Sequence, residues 1–385
     1  MSDSLFNKRV LINNKNSEHC SLFLYACLLL LLGIVLSGCQ PQAAPKQQYV
    51  FTGPIMGTEY RIAVIADQTS LETAIELSLQ GATTQSTESD DIAKPKDGVK
   101  VLENAVIEAM SSVNESMSNY IEDSEISRFN RLPAGTPVSL SSDFHAVMTE
   151  ALRISALSNG AFDVTLAKAI DAWGFGPDGQ INRQPNEQRL EEIRSITGYQ
   201  KLALEQNNLS KTVDGVELNF SAIAKGYAVD KVARTLTSLG LNDYLINIGG
   251  ELRASGNNSS GNVWRVGVEK PHLLGGVQEV VLLDGASIAT SGDYRNYLVV
   301  DGEQFSHTID PNSLKPVLHK LALVSVINES AATADALATA MMAMDEERAW
   351  VFAQENKLAA YLIVRKTSAD DFDIRATEEF NAYLQ

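Results

Sequence analysis

The chain has 385 residues, of which 31 are Lys or Arg and 48 are Asp or Glu, so its formal net charge is −17. So acidic a chain lacks the basic face that binds nucleic acid phosphates, and we predict that nucleic acid is not a partner. The length fits one large domain, or two closely packed halves, with a substantial core.

The N-terminal segment has the pattern of a lipoprotein signal. Basic residues precede the apolar run SLFLYACLLLLLGIVL, which leads into the sequence SGC ending at Cys39. This order predicts a signal peptide at 1–38, lipidation of Cys39 and a Pro/Gln/Ala tether over 39–50. The alternative is an uncleaved transmembrane anchor, for which the apolar run is short. We therefore expect a periplasm-facing lipoprotein of the bacterial cell envelope, anchored to the inner or outer membrane.

The same segment removes cysteine chemistry from consideration. Cys20 and Cys27 leave with the predicted signal peptide, and Cys39 carries the lipid. The mature domain then has no thiol, so neither a Cys nucleophile nor a Cys-ligated zinc is expected.

The first half of the predicted domain, which spans 51–385, mixes strand and helix patterns. Residues 60–64 alternate apolar and polar side chains, which is typical of a strand. The polar stretch 77–100 is predicted to be a disordered insertion. Helical spacing returns at 101–117 and at 144–160.

The second half contains more strands. We predict a strand at 215–219 that leads into a helix ending at Gly240, and a long helix at 331–354. Short strands are predicted at 244–248, 263–268, 277–282, 297–300, 322–327 and 359–364. Because helices and strands mix without a regular βαβ rhythm, we predict an α+β fold with a largely antiparallel sheet packed with helices.

Two segments together indicate a phosphorylated ligand. Residues 286–311 combine hydroxyl side chains, Gly, Arg and His in a strand-turn-strand pattern, which suits phosphate binding better than a core. In the helix AATADALATAMMAM, Asp335 and Thr339 lie one turn apart on one face and offer oxygens that suit Mg2+. The alternative is that Asp335 caps the helix start or faces solvent.

The SAIAKG segment between a strand and a helix is a second candidate. Ser221 and Ala222 expose backbone groups before the helix, and Lys225 lies in its first turn, so the junction can hold an anion. Asn219 can hydrogen-bond the edge of a heterocycle. The alternative is a plain connection with a surface Lys.

Asp163 and His307 are candidates with a structural alternative. Asp163 lies among the aromatic residues of GAFDVTLAKAIDAWGFGP, which can cradle a flavin or adenine or form an ordinary core turn. His307 is flanked by polar and turn residues and can relay a proton or be structural. The chain contains no HExxH, GxSxG or P-loop motif, so zinc proteases, α/β-hydrolases and P-loop kinases are not supported.

Together these segments resemble the ApbE family, the FAD:protein FMN transferases. The resemblance runs in order through GPIMGTEYRI, MSNYIEDSEISRFN, GAFDVTLAKAIDAWGFGP, FSAIAKGYAVD, YLINIGGELRASG, ATSGDYRNY, SHTIDP and ATADALATA. It covers nearly the whole mature chain and implies a T-fold-like architecture.

The resemblance also implies roles for individual residues. FAD would be contacted by Met56, Tyr120, Ala161, Phe162, Asp163, Asn219, Lys225 and Ile309. Mg2+ would be bound by Asp335, Thr339 and the main-chain oxygens of Ala222 and Ala338. His307 would activate the acceptor hydroxyl. Two positions depart from the family pattern, since many members have Asp in place of Asn219 and some have Asp in place of Ala338.

The implied activity is Mg2+-dependent transfer of FMN from FAD to a Thr or Ser hydroxyl of a partner protein through a phosphoester bond, with release of AMP. The implied acceptor is a membrane-associated redox subunit, such as one of the sodium-pumping quinone reductase. Two alternatives stay open. One is a Mg2+-dependent FAD pyrophosphatase that gives FMN and AMP, and the other is a flavin-binding lipoprotein without turnover.

Overall fold

The structure is a computed structural model of the whole chain. It describes residues 45–83, 98–177, 179, 184–271, 275–293, 297–300, 303–366 and 371–385. The predicted signal peptide and Cys39 lie outside the described residues. The folded unit comprises Lys46–Gln385. Within the described part, no helix is long and apolar enough to cross a membrane.

The strands follow one another along the chain in this order. They are β1 (Gln47–Ile55), β2 (Thr58–Ala66), β3 (Val138–Ser139), β4 (Leu202–Glu205), β5 (Asn208–Lys211), β6 (Tyr244–Ile248), β7 (Glu251–Ser255), β8 (Trp264–Glu269), β9 (Val277–Leu283), β10 (Ala286–Gly292), β11 (Tyr297–Val300), β12 (Glu303–Ser306), β13 (Ile309–Asp310), β14 (Lys315–Pro316), β15 (Leu321–Asn328), β16 (Ala359–Arg365) and β17 (Phe372–Ala376).

The described helices lie between and after these strands. They are α1 (Gln68–Thr83), α2 (Gly98–Met117), α3 (Glu125–Asn130), α4 (Ser142–Leu157), α5 (Ala167–Ala172), α6 (Glu187–Ser195), α7 (Ala224–Ser238), α8 (Ala331–Met342), α9 (Glu346–Glu355) and α10 (Glu378–Asn381), with a 3₁₀ turn at Tyr199–Lys201.

One large sheet organises the fold. Its order is β1-β2-β6-β7-β10-β15-β16-β17, and every neighbouring pair is antiparallel. The predicted α+β class with an antiparallel sheet is therefore confirmed. The 3-stranded sheet β3-β5-β4 and the β8–β9 ribbon are separate from it.

Both faces of the large sheet are covered, which explains why its central strands are almost continuously apolar. On one face, Val64 and Val326 belong to a core that includes buried side chains of α2, α7 and α8. On the other face, Ile65 and Leu323 pack in a second core with Trp264 of β8. Successive residues of a strand point to opposite faces, so both sets of side chains are buried.

Two predicted elements are wrong. The helix predicted at 331–354 is two helices, because Asp345 accepts hydrogen bonds from the amides of Glu347 and Arg348 and so starts α9 as a new helix. The segment 215–219 is not a strand. Side chains, rather than a neighbouring strand, bind the backbone groups of this segment. Asn130 Oδ1 accepts from the Leu218 amide, and Lys211 Nζ donates to the Val216 carbonyl.

The bounds of two predicted segments also differ from the structure. Strand β1 starts at Gln47, inside the segment predicted as tether, because its alternating side chains pair along all of β2. Helix α1 continues to Thr83 and α2 starts at Gly98, so both ends of the predicted insertion are helical. Residues 84–97 lie outside the described part.

Candidate active site

A cleft of about 1160 Å³ opens where many loops and strand ends meet. Its wall is built from the β1–β2 turn, the segment after α2, the start of α7, the β6–β7 turn, strands β8 and β10, the segment around His307, and helix α8. The cleft exceeds the usual 300–1,000 Å³ of a small-molecule site. It therefore has room for a large ligand.

Three charged side chains form the floor of the cleft: Lys225, Glu251 and Asp335. Lys225 Nζ lies 3.1 Å from Glu251 Oε1 and 3.8 Å from Asp335 Oδ2. The Lys225 side chain is 26% exposed, whereas the two carboxylates are 6% and 5% exposed. Two buried acids therefore share one cation, and we call these three residues the floor cluster.

Burial and charge pairing shift the pKa values of the floor cluster in opposite directions. Loss of hydration raises the pKa of Glu251 to about 7, even though Lys225 attracts its charged form. Burial also raises the pKa of Asp335, against the attraction of Lys225 and the Gly226 amide. Burial lowers the pKa of Lys225, but the two carboxylates outweigh it and the net shift is upward. A further positive charge would stabilise both acids in their ionised form.

Asp335 is oriented by the helix beside it. The Gly226 amide in the first turn of α7 donates to Asp335 Oδ2 at 3.1 Å. Glycine is required here, because a Cβ at Gly226 would lie 2.3 Å from the carbonyl oxygen of Ala331. Among the described residues, Asp335 Oδ1 accepts no hydrogen bond. One oxygen is thus held by the protein and the other is open to a ligand.

Hydroxyl side chains continue the wall next to Asp335. Thr339 Oγ1 lies 3.3 Å from Ser291 Oγ of β10, and both residues line the cleft. Thr290 is paired with Ser325 at 2.7 Å, across the β10–β15 ladder. The hydroxyl-rich part of 286–311 therefore lies against the helix that carries Asp335 and Thr339, as an oxygen-rich wall.

The mouth of the cleft contains an exposed aromatic ring and a tight turn. Tyr120 is 73% exposed and lines the cleft. Met56 and Gly57 both have positive φ values, 49° and 71°, in the two-residue turn that joins β1 to β2. Such turns match the twist of the flanking strands. The turn places Met56 in the wall rather than in the sheet.

Asp163 is fully engaged by the protein. Its Oδ1 accepts from the Thr165 amide at 2.8 Å and the Thr165 hydroxyl at 2.6 Å, and its Oδ2 accepts from the Tyr199 amide at 2.9 Å. Burial raises the pKa of Asp163, and these three hydrogen bonds oppose that shift. The side chain therefore shapes the turn that brings Ala161 and Phe162 to the cleft.

Asn219 lies beside that turn. The main-chain amide of Asn219 donates to the Val164 carbonyl at 2.8 Å, and its side-chain oxygen accepts from the Ser221 main-chain amide at 2.9 Å. The side-chain oxygen thus stabilises the start of the segment that leads to Ala222 and Lys225.

His307 lines the cleft and lies edge-on to an aromatic ring. Its ring centroid is 6.5 Å from that of Phe175, at an interplanar angle of 68°. The next residues begin the short β13–β14 pair, in which Ile309 is opposite Pro316. His307 is half-buried, so its imidazole can meet a hydroxyl that enters from solvent.

Comparisons with known proteins identify the family. The model of the ApbE family matches residues 56–362. The chain belongs to the ApbE family. It is 36% identical over 357 residues to the FAD:protein FMN transferase of Vibrio cholerae serotype O1, and the match covers 91% of this chain and 96% of that relative.

Solved ApbE structures have the same fold. The flavin transferase ApbE from Vibrio cholerae matches with a TM-score of 0.74 and 36% identity, over 88% of this chain and 100% of that one. The apo form of the Pseudomonas stutzeri flavinyl transferase ApbE matches with a TM-score of 0.74 and 35% identity, over 89% and 98%. The predicted ApbE architecture is therefore confirmed.

Nearly all the site residues predicted from the family resemblance meet in this cleft. The lining residues include His307, Met56, Tyr120, Ala161, Phe162, Asp163, Asn219, Lys225, Ile309, Ala222, Asp335 and Thr339. Ala338 is not among them, and its side chain is fully buried in the helix-covered core. The individual roles of these residues stay predictions.

Sequence reasoning missed Glu251 and Ser291, which also line the cleft. An acid directly after Gly249 and Gly250, at the start of a strand that runs through a core, was the available signal for Glu251. The signal is weak, because an acidic residue next to the turn of a β-hairpin is common on protein surfaces. Ser291 belongs to the hydroxyl-rich stretch but needed the β10–α8 packing to be singled out.

Proposed function

We propose that this ApbE-family chain transfers FMN from FAD to a Thr or Ser hydroxyl of an acceptor protein, with Mg2+ as cofactor and AMP as the second product. The observation that supports it best is the floor cluster, in which two buried carboxylates share one ammonium in a cleft that also contains His307. Relatives that match over nine-tenths of the chain have the name FAD:protein FMN transferase.

The floor of the cleft fits a divalent cation. Within the described part of the chain, Glu251 Oε2 is buried without a hydrogen-bond partner, and Asp335 Oδ1 accepts no hydrogen bond. The described residues contain no group of three or more His, Cys, Asp or Glu side chains that could hold a metal. The two floor carboxylates suit Mg2+, which commonly uses one or two carboxylates together with waters and ligand phosphates.

Asp335, Thr339 and the main-chain oxygen of Ala222 would hold the cation. When bound, Mg2+ offsets negative charge on the two phosphates of FAD. The Ala338 carbonyl is left out of this proposal, because Ala338 does not line the cleft.

The side chains of the protein perform the remaining work. Lys225 places a positive charge beside the diphosphate and offsets the charge that develops on the departing AMP. His307 accepts the proton of the acceptor hydroxyl as its oxygen attacks the FMN phosphorus. A new P–O bond to the acceptor forms, the bond from that phosphorus to the bridging oxygen breaks, and AMP leaves with the bridging oxygen.

The test is incubation of the folded domain with FAD, Mg2+ and a purified redox subunit that contains a candidate Thr. Transfer gives flavin fluorescence on the acceptor after denaturation, together with AMP. The matched control is the acceptor with that Thr replaced by Ala, which should remain unlabelled. Free FMN and AMP without labelling would indicate a pyrophosphatase, and intact FAD would indicate a binding protein; either result contradicts the proposal.

The cellular location belongs to the same proposal. The SGC sequence before the tether supports a lipid on Cys39, which would hold the enzyme at the membrane on the periplasmic side. Such an anchor suits an acceptor that is itself membrane-associated. Labelling of cells with radioactive palmitate should mark the wild type and not Cys39→Ala, and equal labelling of both would contradict the anchor.

A further inference from the structure

Helices α7 and α8 cap each other at their N-terminal ends. Asp335 of α8 accepts from the Gly226 amide in the first turn of α7 at 3.1 Å. Asp230 of α7 accepts from the first two amides of α8, those of Ala331 at 2.9 Å and Ala332 at 3.0 Å. We call this pair of interactions the reciprocal cap.

Asp230 satisfies donors that the helix cannot satisfy itself. The first amides of any helix lack partners within the helix. Asp230 takes two of them and also accepts from the Ser330 hydroxyl at 2.8 Å, while Ser330 Oγ accepts from the Thr333 amide. A carboxylate at this position is further favoured by the helix dipole. Asp230 is buried, so the arrangement is well shielded from water.

Arg253 ties the reciprocal cap to the sheet. Its guanidinium, on strand β7, lies 3.3 Å from Asp230 Oδ1 and 3.3 Å from Ser287 Oγ of β10. It also donates to the carbonyl of Glu329, just before α8. Strand β7 begins with Glu251 of the floor cluster. The start of α8 is therefore fixed to the helix and the strand that supply the other two charges of the floor.

This linkage sets where Asp335 lies. Asp335 is four residues beyond Ala331, so it lies about 6 Å along the helix axis from the capped end. If α8 tilted or slid at its capped end, the Asp335 carboxylate would move by about as much as that end moves. A displacement of about 1 Å at a reacting site can reduce a rate about 100-fold.

We propose that Asp230 is a positioning residue for Asp335: by capping α8 from α7, it fixes the carboxylate against the Gly226 amide and so sets the affinity of the cleft for a hard divalent cation. This inference rests on the proposed function, in which Asp335 binds Mg2+. Asp230 itself does not line the cleft.

Asp345 offers a matched control. It accepts from the amides of Glu347 and Arg348 at the start of α9, so it caps a helix with the same chemistry. It does not line the cleft. Asp345→Asn keeps the one oxygen that caps α9 and removes only the charge that favours a helix N-terminus, so it should lower stability slightly without moving Asp335.

The experiment compares wild type, Asp230→Asn and Asp345→Asn by three measurements. These are Tm, Mg2+ affinity by calorimetry with FAD present, and hydrogen exchange at the Gly226 amide. Asp230→Asn should bind Mg2+ at least tenfold more weakly and exchange the Gly226 amide faster. Asp345→Asn should keep both values within twofold of wild type at a lowered Tm.

The outcomes separate the two proposals. If Asp230→Asn lowers Tm but leaves Mg2+ affinity and Gly226 exchange at the values of Asp345→Asn, Asp230 is only a cap and the inference is wrong. If wild type itself binds no Mg2+, the metal part of the proposed function fails, while Gly226 exchange still decides whether Asp230 positions Asp335. If Asp230→Asn does not fold, Ser330→Ala removes one of its hydrogen bonds and should show the same changes to a lesser degree.

Discussion

Two sets of acidic side chains line the same cleft and differ in how their oxygens are used: the half-buried Asp163, and the buried pair Asp335 and Glu251. Asp163 has both oxygens occupied by three hydrogen bonds from Thr165 and Tyr199. Asp335 and Glu251 share one ammonium, and each keeps one oxygen without a hydrogen bond from the described residues. Burial raises the pKa in all three acids. Burial alone therefore does not distinguish a structural acid from one prepared for a cation.

The two sets differ in how far hydrogen bonds and ion pairs offset the cost of burying a carboxylate. A buried carboxylate is costly unless it is paired or hydrogen-bonded. The Asp163 carboxylate is stabilised by neutral donors, two from Thr165 in its own turn and one from the distant Tyr199 amide, so it holds two backbone segments together. The floor cluster is compensated only in part, by a cation that is shared between two acids. A divalent cation can bind the carboxylate oxygens of this cluster that accept no hydrogen bond from the described residues.

The strongest test of this comparison is Asp335→Asn. The amide keeps the shape but removes the charge that would hold the cation, so the rate of FMN transfer should fall by at least about 10³-fold, as for loss of a key electrostatic group. Calorimetry should show loss of Mg2+ binding. Full turnover at ordinary Mg2+ concentrations would mean that the cation is held elsewhere.

His307 should affect chemistry rather than binding. Removal of a general base costs about 10²–10⁴-fold in rate, so His307→Asn should slow transfer by at least about 100-fold. FAD affinity, measured by fluorescence titration, should stay near that of wild type. An equal loss of rate and affinity would make His307 a binding residue.

Glu251→Gln removes the second acid of the floor cluster. Because Lys225 keeps Asp335 but loses its nearer partner, its ammonium should be less well placed. We expect a weakening of Mg2+ and FAD binding of about tenfold, which corresponds to one partly buried charged hydrogen bond. Unchanged affinity for both would show that Glu251 only fills space.

These contrasts also show how far the sequence could go. The α+β class follows from a mixed pattern without βαβ rhythm, and the Asp335–Thr339 pair follows from helical spacing. Those features are local. The floor cluster is not local, because Lys225, Glu251 and Asp335 come from three elements that meet only through the sheet and the reciprocal cap.

The sequence also could not predict which carboxylate oxygens would already accept hydrogen bonds from the protein. Asp163 and Asp335 both lie in apolar sequence, and only the structure shows that one is saturated by Thr165 and Tyr199. The same limit explains the wrong strand at 215–219. Its apolar alternation is real, but the Asn130 and Lys211 side chains satisfy the backbone groups that a neighbouring strand would otherwise need.

Asp163→Asn tests the structural side of the comparison. An amide keeps one acceptor oxygen and loses the other, so either Thr165 or Tyr199 loses its partner. The free energy of unfolding should fall by about 1–3 kcal/mol, the cost of an unsatisfied buried group. Denaturant titration measures this loss, while Mg2+ affinity should remain within about twofold, because neutral donors rather than a metal compensate Asp163. A tenfold loss of Mg2+ affinity would remove the distinction between the two sets of acidic side chains.

Asp143 of α4 lies outside the cleft, and we expect its substitution to have the smallest effect. Its pKa is lowered, whereas the pKa values of the acids in the cleft are raised. Burial raises its pKa, but hydrogen bonds from Lys231 and Tyr227 outweigh burial and hold the pKa below its ordinary value of 3.8. Since the folded-state pKa is depressed, the contribution of Asp143 to stability is complete above the unfolded pKa and is lost as the pH falls through the folded one.

Asp143→Asn should therefore cost about 1 kcal/mol near neutral pH, as expected for a partly exposed ion pair. The difference from wild type should be constant from pH 7 to pH 5 and should shrink below the ordinary pKa of 3.8. Urea titrations at pH 7, 5 and 3 measure it, with Tyr227→Phe as a control that removes one hydrogen bond and keeps the Lys231 pair. A difference that grew at low pH would mean that Asp143, like the acids of the cleft, is destabilised by its own charge.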